Sequence, residues 1–490
     1  MLSLLIRKEL TDHLLSLRFY LSFVLCFVFM SVGIFALTRE QVQEVQTLGP
    51  YLEADQYRQI VRWGSAVDLL NGGVSLVRPM PALRTVCTGL EDLSLIATLK
   101  GSEEPAFRRR AFVSNLAPDL FVRFDLVFVV GALVSLIAVN FTYDAVCGEK
   151  QGGTLRLTLA GGLPRHRFLM GKLLGGYLAF LVGYLPCLLM VCLILSLTPE
   201  VRLTGGDWAV LSFIFLLSIL YASVFFSLGL FVSCRTASPP ASLITLLGLW
   251  AGAVLVVPSL SPFLAACLAP ASSPVEVEAR INAIRTEAAR RGWEEVSAYV
   301  RSHGLPHAFR VGGRAYEDWN LEWGSWVDAL PRIAQQTPDT VASGRLLRFG
   351  SGVLAGEFQR AEGEVLRVRQ AHIRALDRQA AIGQALTCLS PYASFTYLAT
   401  DLSQTGLRGE VRFRRAVDRF KRDVVAYVGG QLSTRTMFDP LDAASFPFFQ
   451  YRARGSPLEA GDLLHFLLLT GFNAVFYLGA HVSFMRYDVR

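Results

Sequence analysis

Six stretches of the chain are apolar over lengths that would cross the roughly 30 Å hydrocarbon core of a bilayer as helix: residues 19–37, 120–142, 173–197, 208–233, 241–257 and 463–485. The first, FYLSFVLCFVFMSVGIFAL, carries no charge at all. The second is less clean, because Arg123 and Asp125 sit at one end and leave a core from Leu126 to Thr142. One such run could be a buried helix of a soluble domain. Six in one chain point to a polytopic membrane protein.

Two long polar insertions interrupt the spans, 38–119 after the first and 258–462 after the fifth. Their periodicity is mainly helical. Residues 274–301 open on Pro274, suited to a first helical turn, and set Val277, Ile281, Ile284, Ala288 and Val296 along one face. Farther on, Leu354, Phe358, Ala361, Val365, Val368, His372, Ala375, Gln379, Ile382, Leu386 and Leu389 follow one another at alternating spacings of four and three. That seam predicts a helix over about 353–389, some ~54 Å long, ended or bent by Pro391. Pro258 and Pro262 are expected to break the fifth span and let 258–269 dip back as a re-entrant segment, with 270–462 forming the second insertion. The expected fold class is an all-α polytopic membrane protein: six transmembrane helices with a mainly helical extracytoplasmic domain built from the two insertions.

Composition agrees. The 490 residues are 52% hydrophobic and only 18% charged, with a mean hydropathy of +0.40, values a soluble chain of this length rarely shows. The charges set the orientation. Segments 1–18, 143–172, 234–240 and 486–490 hold eleven Lys and Arg, whereas the short loop 198–207 holds only Arg202. Positive residues stay inside, so both termini are expected in the cytoplasm and both insertions outside. The first span is longer than a signal-peptide core and no small-x-small site follows it, so it is read as a retained anchor. The net charge of +7 is dispersed through the outer insertions and is no nucleic-acid footprint. Of eight cysteines only Cys87 and Cys388 fall clearly in the insertions, either as free thiols or as one bridge.

Catalytic patterns are missing. MGKLL at 170–174 has Leu173 where a phosphate-binding loop needs Ser or Thr, and His166 where it needs its first glycine. There is no HExxH, CxxC or GxSxG. His303 and His307 in HGLPH are separated by Gly304 and Pro306, which oppose a helix presenting both to a metal. The chain is therefore read as holding no catalytic residue, metal or cofactor of its own.

One polar segment is then unexplained, 143–172, which joins the second and third spans. Its order is Glu149, then Gly153, Thr154 and Leu155, then Pro164 and Arg167, then Gly171 and Lys172 entering the next span. Near the start, LLIRKELTDHLLSLRFY carries Lys8, Glu9 and Leu10 in an amphipathic segment, residues 1–18. This pattern resembles that of type-2 ABC exporter permeases, in which an elbow helix precedes six spans and the first cytoplasmic loop is a coupling element. The size of the insertions is similar to that of a bacterial subfamily with an extended extracytoplasmic region, some of whose members are associated with gliding motility or copper-enzyme maturation.

The resemblance implies a subunit of the bacterial cytoplasmic (inner) membrane that couples to a separate cytoplasmic cassette ATPase, two copies per complex, which carries the ATP and Mg. It also implies a second permease copy or a paralogue, and admits an extracytoplasmic protein partner. Transport and mechanotransmission, in which the outer domain acts on another protein and nothing crosses, both stay open, as does a sensor or scaffold role without an ATPase. Within the loop, Leu155 and Leu159 would form an apolar ridge if 149–160 is a helix, although Leu155, Leu157 and Leu159 also alternate as in a strand. Arg165 and Arg167 are expected to offer forked donors to a partner's carboxylates. Asn140 and Asn473, amides at membrane depth, either line a pathway or hydrogen-bond between helices.

Overall fold

The computed structural model describes residues 2–62, 74–89, 96–99, 105–108, 124–304, 310–311, 314–315, 330, 334–335, 339–432, 442, 445–449, 451 and 460–487. Helix α1 (Leu2–Leu14) is followed by α2 (Leu17–Arg62). Strands β1 (Val74–Val77), β2 (Ile96–Leu99) and β3 (Ala106–Arg108) form an antiparallel sheet. The chain continues through α3 (Leu126–Gln151), α4 (Thr154–Ala160), α5 (Arg165–Ser196), α6 (Gly205–Arg235) and α7 (Pro239–Leu268). The second insertion holds α8 (Pro274–Ser302), the short pair β4 (Arg310–Val311) and β5 (Arg314–Ala315), α9 (Thr340–Thr387), α10 (Pro391–Leu402) and α11 (Leu407–Leu432). Helix α12 (Ala460–Met485) closes the chain. Six helices, α2, α3, α5, α6, α7 and α12, are long and apolar enough to cross a membrane. The protein is an all-α polytopic membrane protein with little sheet.

Its core is aromatic. Phe180, Tyr184, Tyr221, Phe225 and Phe226 are fully buried where α5 and α6 meet α3. Two membrane helices contain π-helical turns, Val129–Val134 in α3 and Gly252–Val256 in α7. Such turns shift carbonyls off the regular ladder, and side chains collect them. Gly131 O accepts from Tyr221 Oη at 3.0 Å and from Ser135 Oγ at 2.5 Å, and Trp250 Nε1 donates to Ser135 Oγ at 2.8 Å. Ala253 O accepts from Ser390 Oγ at 2.5 Å.

The elements depart from the periodicity reading at four places. Helix α7 does not turn back at Pro258 and Pro262 but stays helical to Leu268; the freed carbonyls around a proline can be taken up by a distorted turn, and a π segment directly precedes Pro258. The returning element is α10, which packs against α3, α6, α7 and α12. Tyr392 of α10 lies so close to Gly131 that no side chain would fit there. Helix α2 runs 46 residues, far beyond residue 37, and α9 runs 48 residues from Thr340. The first insertion also contributes the small sheet. Its Val74, Leu76, Ala97 and Leu99 share a core with Phe413, Val417 and Phe420 of α11, so the two insertions build one body.

In α9 the heptad seam is half used. Leu354, Ala361 and Val365 are buried, and Leu354, together with Leu346 in the unpredicted first part of the helix, packs with Ala289, Val296 and Val300 of α8. His372, Ala375, Gln379 and Ile382 are only half-buried. Two ionic sites with buried carboxylates tie the insertions to each other and to the bundle. Arg78 pairs with Glu410 at 3.2 Å and donates to Gln404 O at 3.0 Å. Arg408 bridges Asp401 at 3.2 Å and Asp462, where α12 begins, at 2.7 Å.

The second site generates a pH prediction. Burial pushes the Asp401 carboxyl up to about 6, against the pull of Arg408 and aided by like-charged Asp462. The folded carboxyl thus holds its proton at pH values where the unfolded one has lost it. Stability from this group falls as pH rises from about 4 to about 6, and the cost, at most roughly 3 kcal/mol, is fully present above that window. Thermal unfolding in detergent should show Asp401→Asn less sensitive to pH across this window than wild type; parallel pH profiles would remove Asp401 from the account.

Candidate functional site

At one end of the bundle α1 lies against α5. Gly171 and Gly175, one turn apart, let it approach: a Cβ on Gly175 would sit 2.5 Å from Glu9 Cβ, and one on Gly171 would collide with Leu5. This closeness brings three charges together. Lys172 Nζ is 2.8 Å from Glu9 Oε1 and 2.5 Å from Glu149 Oε1, with all three side chains nearly buried. Lys8, adjacent in the sequence motif, points to solvent.

Between α3 and α5 the polar insert makes two tight reversals. Gly153 (φ 72°) and Gly162 (φ 79°) are left-handed, a conformation that costs glycine little, and they bracket α4. The strand alternative for residues 155–159 is thus replaced by a two-turn helix. Thr154 Oγ1 donates to Glu149 Oε2 at 3.2 Å across the first reversal. The apolar ridge expected to face a partner points the other way. Leu155 is 2% exposed and packs among Val146, Phe168, Leu169, Leu230 and Phe484, with Leu159 half-buried at the edge of the same cluster. Leu157 is the residue that projects, 77% exposed, because it sits about 200° around the helix from Leu155 at ~100° per residue.

The cations divide in the same way. Arg165 is not available to a partner: its Nη1 donates to Met485 O at 2.8 Å, Tyr487 O at 2.9 Å and Phe484 O at 3.5 Å, closing the C-terminal end of α12. Arg167 is exposed. Pro164 caps the start of α5. Sequence reasoning passed over Lys150, which donates to Cys234 O and, at 3.1 Å, to Thr236 O at the end of α6, and lies 4.4 Å from the Tyr487 ring. Ser233 Oγ accepts from Val146 N at 3.0 Å and Cys147 N at 3.1 Å. A signal was there to read, since Lys8, Lys150 and Lys172 are three of only five lysines in the chain.

Asn473 bridges α12 and α6. Its Nδ2 donates to Ser223 Oγ at 2.7 Å and Leu220 O at 3.3 Å, and its Oδ1 accepts from Ser227 Oγ at 2.9 Å. Those contacts favour the helix-to-helix reading of this amide over a pathway. Asn140 is half-buried on α3. Both Cys87 and Cys388 are free thiols. His303 stacks on Tyr299 at 4.0 Å, and His307 lies outside the described residues.

Removing the central cation isolates two buried carboxylates. Lys172→Met should lower stability by about 3–5 kcal/mol, the usual consequence of breaking a buried pair. Adding Glu9→Gln and Glu149→Gln should restore most of the loss. Thermal unfolding of the single and triple variants checks this; an unchanged Lys172→Met midpoint would dismiss the triad as a structural tie.

The family model described as ABC-2 family transporter protein matches residues 4–489. The chain is similar to the probable ABC transporter permease protein NosY of Pseudomonas aeruginosa, 38% identical over 125 residues, which cover 24% of this chain and 43% of that protein. It is also similar to the protein of the same name from Stutzerimonas stutzeri, 34% identical over 128 residues, 25% and 45% of the two lengths. The chain therefore spans less than half of these curated relatives. The family model, by contrast, runs through all six apolar helices, the polar insert and both insertions, and the chain belongs to the ABC-2 family of transporter proteins as a permease with several transmembrane helices.

Proposed function

We propose that the chain is the membrane subunit of an ATP-driven ABC exporter, with α1 and the insert as the platform on which a separate cytoplasmic ATPase docks. Two permease chains, as a pair of copies or with a paralogue, and two ATPase subunits would form the complex. ATP and Mg would bind to the ATPase. Both termini and the insert would face the cytoplasm, in keeping with the excess of Lys and Arg on those segments.

The observation that carries this reading is the division of the insert into an anchored and a projecting side. Leu155, Lys150 and Arg165 fasten it to the ends of α6 and α12, and the Glu9–Lys172–Glu149 ties fasten it to α1 and α5. Leu157 and Arg167 stand in solvent. A projecting apolar side chain on a well-anchored short helix suits a groove in a partner, and force applied at that tip would reach several spans together.

A second reading, mechanotransmission without transport, is favoured by one observation: α2 runs unbroken for 46 residues from the membrane into the first insertion. Such a rod, ~69 Å long, would carry movement outward to an extracytoplasmic partner.

Docking is tested at the tip. Leu157→Asp changes an exposed position and should leave membrane abundance near wild type. Co-purification of a co-expressed cassette ATPase should fall at least about tenfold, the effect of losing one interface anchor, and stimulated ATP turnover should fall with it. Leu155→Asp should instead reduce the yield of folded permease, since it buries a charge in its own chain. Full ATPase association and turnover with Leu157→Asp would overturn the docking assignment.

A further inference from the structure

At the other end of the bundle a cavity of about 500 Å³ opens where α7, α9 and α10 meet. Pro262 and Ala265 of α7 form one wall, and Leu376, Ala380 and Gly383 of α9 the facing one. Its polar groups are neutral: the amides of Gln379 and Gln384 and the hydroxyls of Thr387, Tyr392, Thr396 and Tyr397. Among the described residues, no charged side chain lines it. The volume lies in the range of small-molecule sites, roughly 300–1,000 Å³.

The cavity is continuous with apolar surface on both sides. On α7 the neighbouring Leu260, Phe263, Leu264 and Leu268 are exposed on a helix apolar enough to cross the membrane. On α9 the strip Ala380, Leu376, Ile373 and Leu366 continues outward, with Ile373 and Leu366 also exposed. From Gly383 to Leu366 this track is ~25 Å long. This strip runs beside the heptad seam, whose own His372, Ala375, Gln379 and Ile382 are half-buried.

We propose that this cavity is a lipid site, taking an acyl chain of a membrane lipid that enters sideways from the bilayer between α7 and α9. The lipid-facing surface of α7 runs directly into the cavity, so an acyl chain stays in apolar contact throughout the path. The neutral amides and hydroxyls match the uncharged ester or hydroxyl region of such a molecule, and the absence of charge selects against ionic solutes. The assignment is independent of ATPase docking, because it needs neither nucleotide nor partner.

The test uses the full chain in nanodiscs containing a phosphatidylcholine with a photoreactive diazirine near the end of one acyl chain. After irradiation, peptides are mapped by mass spectrometry. Label is expected on the 376–383 segment as well as on the lipid-facing positions Phe263 and Leu268. A Cβ added at Gly383 would lie at an ordinary 3.5 Å from Ala265, so this cavity-lining position accepts a side chain, and Gly383→Leu directs bulk toward the cavity. Together with Ala380→Leu it should cut labelling of 376–383 about tenfold while Phe263 and Leu268 keep theirs. Ala380→Leu alone, a milder change, should give an intermediate loss and shows that reduced label comes from filling rather than unfolding. An unlabelled 376–383 segment in the wild-type chain, label that persists in the filled variant, or cross-links from the segment to a second copy of the chain instead of lipid would each overturn the proposal.

Discussion

A polar group inside a bilayer has no water to turn to, so each one must find its partner within the protein. Much of this structure follows from that constraint. The two π-helical turns displace the carbonyls of Gly131 and Ala253, which are collected by Tyr221, Ser135 and Ser390. The last carbonyls of α6 and α12 go to Lys150 and Arg165. Asn473 spends its amide between α6 and α12. These bonds do more than satisfy atoms, because nearly all join elements far apart in sequence. Helix packing without a hydrophobic driving force between spans would leave their register loose, and the polar ties define it.

The same constraint shapes the polar insert. Its helix α4 has only seven residues, too short to be stable by itself. It holds its form because Leu155 enters a cluster at the ends of four spans and because Glu149 and Lys172 are fixed beneath it. With those contacts made, the outward face is free of structural duty, and Leu157 can project without cost to the fold. An inward leucine and an outward leucine two residues apart thus have opposite roles on one short helix.

Spans were legible because hydrophobicity over about twenty residues is a strong, local signal. Five of the six predicted cores end within a few residues of the observed helices or inside them, and the six-helix count stands. What the pattern could not convey was continuation: α2 and α9 extend through polar sequence where apolar periodicity fades, α2 even across Gly49 and Pro50. Prolines misled in one place, since Pro258 and Pro262 sit in a helix whose neighbours absorb the freed groups. Helix α10 was missed because twelve residues with Ser, Thr and Tyr do not read as membrane-associated; their burial depends on Gly131 and Ala253 in other helices. At the insert the residues were legible and their directions were not. Periodicity placed Leu155 and Leu159 together, but which side faces home depends on Phe168, Leu230 and Phe484, hundreds of residues apart in part.

Helix α3 shows how the two ends of the molecule are joined. Its start is fixed by Asp125, which accepts from Phe128 N at 2.8 Å and from the amide and hydroxyl of Thr88 in the first insertion at 2.9 and 2.7 Å. Its last turn is fixed to Ser233 and runs directly into the insert. One element therefore connects the insertion-bearing end to the platform end, with a π-helical turn close to the former. A span held at both ends passes displacement along its axis, and π turns are among the places where helices bend. Under the docking reading, movement of the insert would reach the insertions through α3 and be taken up around Gly131. That is also where Tyr392 of α10 packs, so the element that closes one side of the cavity rests on the π-helical turn of the connecting span.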